Sequence, residues 1–215
     1  MTSVREFKSL FLSDFHLGSH NCQALRLYTF LLQHDADKFY LLGDIVDSSS
    51  IAGWPEYHDD VVMALVRRGA YAQVVYVPGN HDRLFRKHIG HYGNLQIMLR
   101  TTHVCVDGRR LLVTHGDETD FMQLHFPIWL LSRLEKMTGW NAWEWLRRHV
   151  TRTIAKHSER FEARMLALAA GYDGVVCGHI HSPRIGARYF NCGDWTHNCT
   201  AIAEHHDGRF ELLRG

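Results

Sequence analysis

Phe39-Tyr40-Leu41-Leu42-Gly43-Asp44-Ile45-Val46-Asp47 sets an apolar run directly against a glycine and a carboxylate. Such a run predicts a buried strand that passes abruptly into a loop. The pattern recurs along the chain. Leu10-Phe11-Leu12 stops at Ser13-Asp14, and Val74-Val75-Tyr76-Val77 stops at Pro78-Gly79-Asn80. Leu111-Leu112-Val113-Thr114 meets His115-Gly116-Asp117, and Val175-Val176-Cys177 meets Gly178-His179-Ile180-His181. Five strands therefore deliver a ligand-type residue at their carboxyl ends. Between them, Gln23 to Gln33 and Asp59 to Arg68 repeat apolar residues at helical spacing. Strand and helix alternation predicts an α/β layered fold, whose site forms outside the carboxyl ends of the strands.

Two stretches depart from this alternation. Tyr189 to Cys192, Thr200 to Glu204 and Arg209 to Leu212 read as antiparallel strands, the last two joined by a tight turn at Asp207-Gly208, which predicts a second or mixed sheet. Residues 121–170 lack strand patterning, carry Trp129, Trp140, Trp143 and Trp145, and are rich in Arg and Lys. They predict two or three amphipathic helices inserted between the fourth and fifth core strands. With no repeat or linker to separate them, residues 1–215 read as one domain with a helical cap at 121–170.

Composition bounds the function without naming it. At 215 residues, with 46% hydrophobic and 22% charged residues, the chain has the make-up of a globular protein with a substantial core. A net charge of +1 with no long run of one sign argues against a general nucleic-acid grip. Five cysteines without a CxxC pair fit a reducing compartment. The first strand begins too early to leave room for a signal peptide, and no apolar run reaches spanning length, so a cytoplasmic location is expected. The distinctive number is 17 histidines, which gain meaning because they cluster with carboxylates.

Taken singly, Asp14-Phe15-His16, Gly43-Asp44, Asn80-His81-Asp82 and His115-Gly116-Asp117 each also suit a turn or a cap. Gly178-His179-Ile180-His181 is harder to explain that way, since two histidines behind a glycine have little structural purpose. Together, at strand ends, they supply carboxylate, imidazole and amide donors without thiolate. That set suits manganese, iron, zinc or magnesium, and its size exceeds one coordination sphere. Two cations about 3.5–4 Å apart can activate a shared water and neutralise phosphoryl oxygens during in-line displacement.

The ordered set DxH, GDxxD, GNHD, H and GHxH resembles the calcineurin-like metallophosphoesterase superfamily over nearly all of the chain outside the insert. The resemblance implies a four-layer αββα sandwich with two divalent ions, manganese foremost. One ion would be held by Asp14, His16, Asp44 and His181, the other by Asp44, Asn80, His115 and His179, with Asp44 bridging. It implies that His81 stabilises a phosphoryl oxygen or protonates the leaving group, and that Asp82 orients it. Asp47 and Asp117 are expected to fix loops. Within the superfamily, Ser13 to Gly18, Leu42 to Asp47, the helical insert and Asn191-Cys192-Gly193-Asp194-Trp195 are similar to the UDP-2,3-diacylglucosamine pyrophosphatases of lipid A synthesis. The match is to the branch with GNHD, since the characterised lipid A enzymes resemble GNRD where this chain has His81.

That likeness implies hydrolysis of a phosphate anhydride or phosphodiester on a small nucleotide-linked substrate, with peripheral contact to inner-membrane lipid. Asn80, Asp120, Arg152, Lys156 and Trp195 are the expected substrate-binding residues. Arg133, Lys136, Arg147 and Arg148 add to the basic face of the insert, which alternatively is a packed hairpin with a solvated surface. His197 and Asn198 flank the site in sequence and either line the pocket or pack its loops. A phosphomonoesterase or protein phosphatase can use the same core, and a metal-free scaffold is the remaining alternative.

Overall fold

The computed structural model describes residues 4–47, 54–120 and 142–215, with the backbone alone given for 142–154. Two sheets face each other. The first contains β1 (Arg5–Leu12), β2 (His34–Leu41), β3 (Gln73–Tyr76), β4 (Gly90–Tyr92), β5 (Leu95–Ile97), β11 (Thr200–Glu204) and β12 (Phe210–Arg214), in the order β12-β11-β1-β2-β3-β5-β4. The second contains β6 (Thr101–Val104), β7 (Arg110–Val113), β8 (Gly174–Cys177), β9 (Arg184–Ile185) and β10 (Tyr189–Asn191), in the order β6-β7-β8-β10-β9. Parallel pairing joins β1, β2, β3 and β5 in one sheet and β7, β8 and β10 in the other, with antiparallel strands at the margins.

The apolar runs are continuous because each central strand is buried on both faces. Phe11, Tyr40, Leu42, Val75 and Val77 point inward, where they meet Leu111, Val113, Val176 and Phe190 of the second sheet. Phe11 stacks on Tyr40 with centroids 4.6 Å apart. Their sequence neighbours Leu10, Leu12, Phe39, Leu41, Val74 and Tyr76 point the other way, onto the helices α1 (Ala24–Gln33) and α2 (His58–Arg68). Each of these large side chains contributes about 1.5–3 kcal/mol by leaving water. α1 buries Ala24, Leu27, Phe30 and Leu31, one helical stripe. Arg68, buried at the end of α2, donates to the carbonyls of Leu31 and His34 and so ties the two helices together where α1 gives way to β2.

The outer face of the second sheet is covered by α3 (Ala142–Leu168), whose Phe161, Met165 and the following Ala169 pack on Leu112, Val175 and Cys177. The layers are therefore helix, sheet, sheet, helix, as expected. Within the insert the structure gives one helix of 27 residues, and residues 121–141 lie outside the described residues, together with Trp129, Arg133, Lys136 and Trp140. The side chains of Trp143, Trp145, Arg147, Arg148 and Arg152 also lie outside them.

The tail departs from the antiparallel expectation at β10. β11 and β12 form the expected hairpin, with Glu204 opposite Phe210. β10 instead joins the second sheet, parallel to β8, with Tyr189 opposite Val175. Its residues are buried on both sides, so the neighbour it pairs with is set by tertiary packing. All five cysteines are buried free thiols. Among the described residues no helix is long and apolar enough to cross a membrane.

Candidate metal centre

The five loops that leave β1, β2, β3, β7 and β8 converge on one cleft between the sheet edges. Main-chain bonds set the first two, from Asp14 N to Gly43 O at 3.0 Å and from His16 N to Asp44 O at 2.9 Å. Asp14, His16, Asp44, His179 and His181 all have positive φ, between 51° and 69°. Among the described non-glycine residues, Tyr57 and Cys199 alone share that conformation. It costs about 1–2 kcal/mol per residue, so its concentration here marks a site where the fold holds the backbone against preference.

Two glycines make the convergence possible. A Cβ on Gly43, whose φ is 82°, would lie 2.3 Å from His115 Nδ1. One on Gly178 would lie 1.8 Å from Ser13 Oγ and 2.5 Å from Asp14 Oδ2. The GD and GH motifs thus use glycine because a functional side chain from another strand occupies the space a Cβ needs.

The seven residues expected as ligands come together in two overlapping groups. Asp14, His16 and His181 present ligand atoms within 4.8 Å of one another, and so do Asp44, His115 and His179. His181 Nε2 is 3.2 Å from Asp14 Oδ1. In the second group His115 Nε2 is 3.3 Å from Asn80 Oδ1 and 3.5 Å from Asp44 Oδ2. The same Asp44 oxygen is 4.0 Å from His16 Nε2 and so faces both groups, while its Oδ1 accepts from His81 N at 2.8 Å. The buried Asp14 Oδ1 faces the His181 imidazole at 3.2 Å, and His16 Nε2 is buried without a hydrogen-bond partner. Buried polar atoms are rarely left so. A divalent cation satisfies that need, and the donor set of carboxylate, imidazole and amide oxygen fits one.

Electrostatics agree with the geometry. Burial alone would raise the carboxyls of Asp14 and Asp44, yet His181 and His115 beside them hold both below the usual range. Burial alone would depress His115, and the facing Asp44 instead pushes it up to about 10. The negative field that favours a proton on His115 favours a cation equally. His115 Nδ1 lies 2.7 Å from Leu42 O, which directs Nε2 to the shared space. Burial keeps His16 and His179 on the neutral, ligand-competent side.

His81 stands at the mouth with its side chain 32% exposed, its ring edge-on to His16 at 4.8 Å. The carboxylate beside its Nδ1 is Asp47, at 3.6 Å. Asp82, expected to orient His81, does other work. Fully buried, it accepts hydrogen bonds from Gly79 N, Ile45 N and Tyr76 Oη, which locks the loops that carry Asn80 and Asp44. Adjacent residues in a loop point apart, and Asp82 points inward. Arg86 adds a second lock, with Nη2 bonding Pro78 O at 3.1 Å and both Asp117 oxygens at 2.8 and 2.9 Å.

The expected substrate-binding residues divide. Asn80 faces His115 in the cleft. The shielded side chain of Asp120 lies between His157 and His179, 3.3 Å from an Nε2 of each. Lys156 is exposed on α3. Trp195, expected at the pocket, is fully buried in the core against Phe30, and a side chain without surface cannot meet a substrate. Asp194 before it is the residue that matters here, since Oδ1 lies 3.9 Å from His181 Nδ1 and accepts from Thr196 N at 2.8 Å. Asn198 holds the His181 carbonyl at 2.9 Å, and His197 is exposed. The sequence reading missed Asp194, Arg86 and His157. The first follows the Asn-Cys-Gly signature, whereas the other two lie in no motif.

The sequence model of the calcineurin-like phosphoesterase family matches residues 7–183. A UDP-2,3-diacylglucosamine hydrolase from Aeromonas salmonicida (strain A449) is 25% identical, over 87% of this chain and 85% of its own. One from Aromatoleum aromaticum (strain DSM 19018 / LMG 30748 / EbN1) is 26% identical, over 81% of this chain and 80% of its own. Among solved structures, the E. coli phosphoesterase Yfce aligns with a TM-score of 0.44 at 18% identity, covering 95% of this chain and 97% of that one. The chain belongs to the calcineurin-like phosphoesterase family and is a metal-dependent hydrolase of phosphate esters.

Proposed function

We propose that the protein hydrolyses the diphosphate linkage of a nucleoside diphosphate joined to an acylated sugar, with UDP-2,3-diacylglucosamine as the substrate to test first. The observation that carries the two-ion part is the single Asp44 oxygen facing His115 and His16 at once, with His16 Nε2 buried and without a hydrogen-bond partner. Asp14, His16, Asp44 and His181 would hold one divalent ion and Asp44, Asn80, His115 and His179 the other, manganese being the first choice. Such ions, when bound, supply charge for the phosphoryl oxygens and an acidified water. The chain's own contribution is orientation. His81, steadied through its backbone by Asp44 and at Nδ1 by Asp47, would give a proton to the oxygen that leaves phosphorus. The substrate class rests on the hydrolase relatives, with cytoplasmic action at the membrane face.

The test is product analysis in excess Mn2+ with UDP-2,3-diacylglucosamine, a phosphodiester and a phosphomonoester. Formation of UMP and the acylated sugar 1-phosphate, with kcat/KM above the monoester's by more than about tenfold, or about 1.4 kcal/mol, is expected. Release of phosphate from the monoester alone would replace this reading with a phosphomonoesterase.

A further inference from the structure

α3 meets the loops of the centre through one stripe. His157, Phe161 and Met165 are spaced four apart and share a helix face. Met165 Sδ receives the Thr119 hydroxyl at 3.3 Å. The Phe161 ring lies 5.9 Å from the His179 ring and crowds Gly116, where a Cβ would come 2.7 Å from Phe161 Cζ. His157, a turn earlier, places Nε2 3.3 Å from Asp120 Oδ2. The same oxygen is 3.3 Å from His179 Nε2. With side-chain exposures of 14% for His157, 5% for Asp120 and 12% for His179, the carboxylate sits between two imidazoles largely out of water.

We propose that Asp120 and His157 are positioning residues that fix the His179 imidazole for the cation group of Asp44, Asn80, His115 and His179, so that docking of α3 sets the affinity for one of the two ions. This rests on the two-ion reading above. A histidine ring turns about two side-chain bonds, and a contact at Nε2 fixes its plane and leaves Nδ1 for a cation. A carboxylate that accepts the other N–H of a ligating imidazole also raises its basicity. Asp120 needs its own anchor, because an aspartate can turn its oxygens elsewhere. His157 supplies one from α3 at Oδ2, while Arg164 lies 3.9 Å from Oδ1 and donates to Thr119 O at 3.1 Å. The group of Asp14, His16 and His181 is supported from another side, by Ser13 and Asp194. His157 thus acts on one group and not the other, through Asp120.

The experiment is calorimetric binding of Mn2+ to the full chain, with electron paramagnetic resonance reporting the coupled ion pair. Wild type should take two ions. His157→Ala and Asp120→Ala should each weaken one ion by about 10- to 100-fold and leave the other unchanged. The double variant should be no worse than Asp120→Ala, because the effect passes through that carboxylate. His157→Asn, whose amide still donates, should recover most of the affinity. His157→Phe keeps the packing without a donor and should behave as His157→Ala, which carries the test if the alanine variant does not fold. Two unchanged affinities in His157→Phe overturn the proposal and leave α3 as a packing helix. Binding of a single ion by wild type overturns the two-ion reading itself, a distinguishable result.

Discussion

The two halves of the centre are built by different means. Asp14, His16 and His181 all have left-handed backbone, and the loop bearing the first two is fastened by main-chain bonds to Gly43 and Asp44. In the other half the shared Asp44 and His179 are left-handed too, and Gly178 N bonds His115 O at 3.1 Å, but Asn80 and His115 have ordinary backbone and side chains add much of the support: Arg86 across two loops, Asp82 under Gly79, and Asp120 against His179. The first half therefore leans more on main-chain bonds, with Ser13 at Asp14 and Asp194 and Asn198 at His181 as its side-chain supports. The second depends more on residues that can be changed one at a time, and so it is the half more open to tuning.

Asp44 belongs to both halves, and its removal has the largest expected effect. Asp44→Asn keeps the shape and deletes the charge that faces His115 and His16. Loss of both ions, measured by metal analysis after gel filtration, and a fall in kcat/KM of more than about 10³-fold are expected, beyond the usual cost of one oxyanion donor. Retention of two ions would show that the halves do not share a ligand.

His81 is expected outside both ligand sets, although its backbone N–H touches Asp44 and its ring groups with His16 and Asp44. His81→Ala is expected to keep two ions bound and to lose about 10²-fold in kcat, the scale of one general acid or oxyanion donor. Single-turnover rates at saturating Mn2+ separate the two effects. Loss of an ion in step with the rate would move His81 into the ligand set.

Where sequence was enough, local chemistry and strand polarity pointed the same way. Leu10 to Asp14 and Phe39 to Asp44 announce a two-faced buried strand and a carboxylate at its end, and each side chain then had one cleft to enter. β4, β5, β6 and β9 were illegible because they are two to four residues long and largely unburied, leaving no pattern to read. Trp195 and Asp82 misled for another reason. Both stand next to functional residues, and nearness in a loop says nothing about which way the next side chain turns. The convergent set was legible as a list, but how far each half leans on main-chain or side-chain support came only from the packing of one loop on another. His157 carried a faint signal, a histidine in register with Phe161 and Met165 on an otherwise apolar stripe.

The smallest expected effect sharpens the comparison most directly. Arg86 bridges the loop of Asn80, through Pro78 O, to the loop of His115, through Asp117, and so spans the second half alone. Its side chain is 33% exposed, so the ion pair is worth only about 1 kcal/mol at most, and Arg86→Ala should lower thermal stability by that order. The effect on binding follows from slack between Asn80 and His115, which one ion needs at fixed separation. A few-fold loss of affinity for that ion, about 0.5–1 kcal/mol, is expected with the other unchanged. Calorimetry with Mn2+ at low and high salt separates the contributions, since an exposed pair fades with salt whereas a missing strut does not. Equal weakening of both ions would mean that the halves are mechanically continuous, and the division drawn from their supports would then fail.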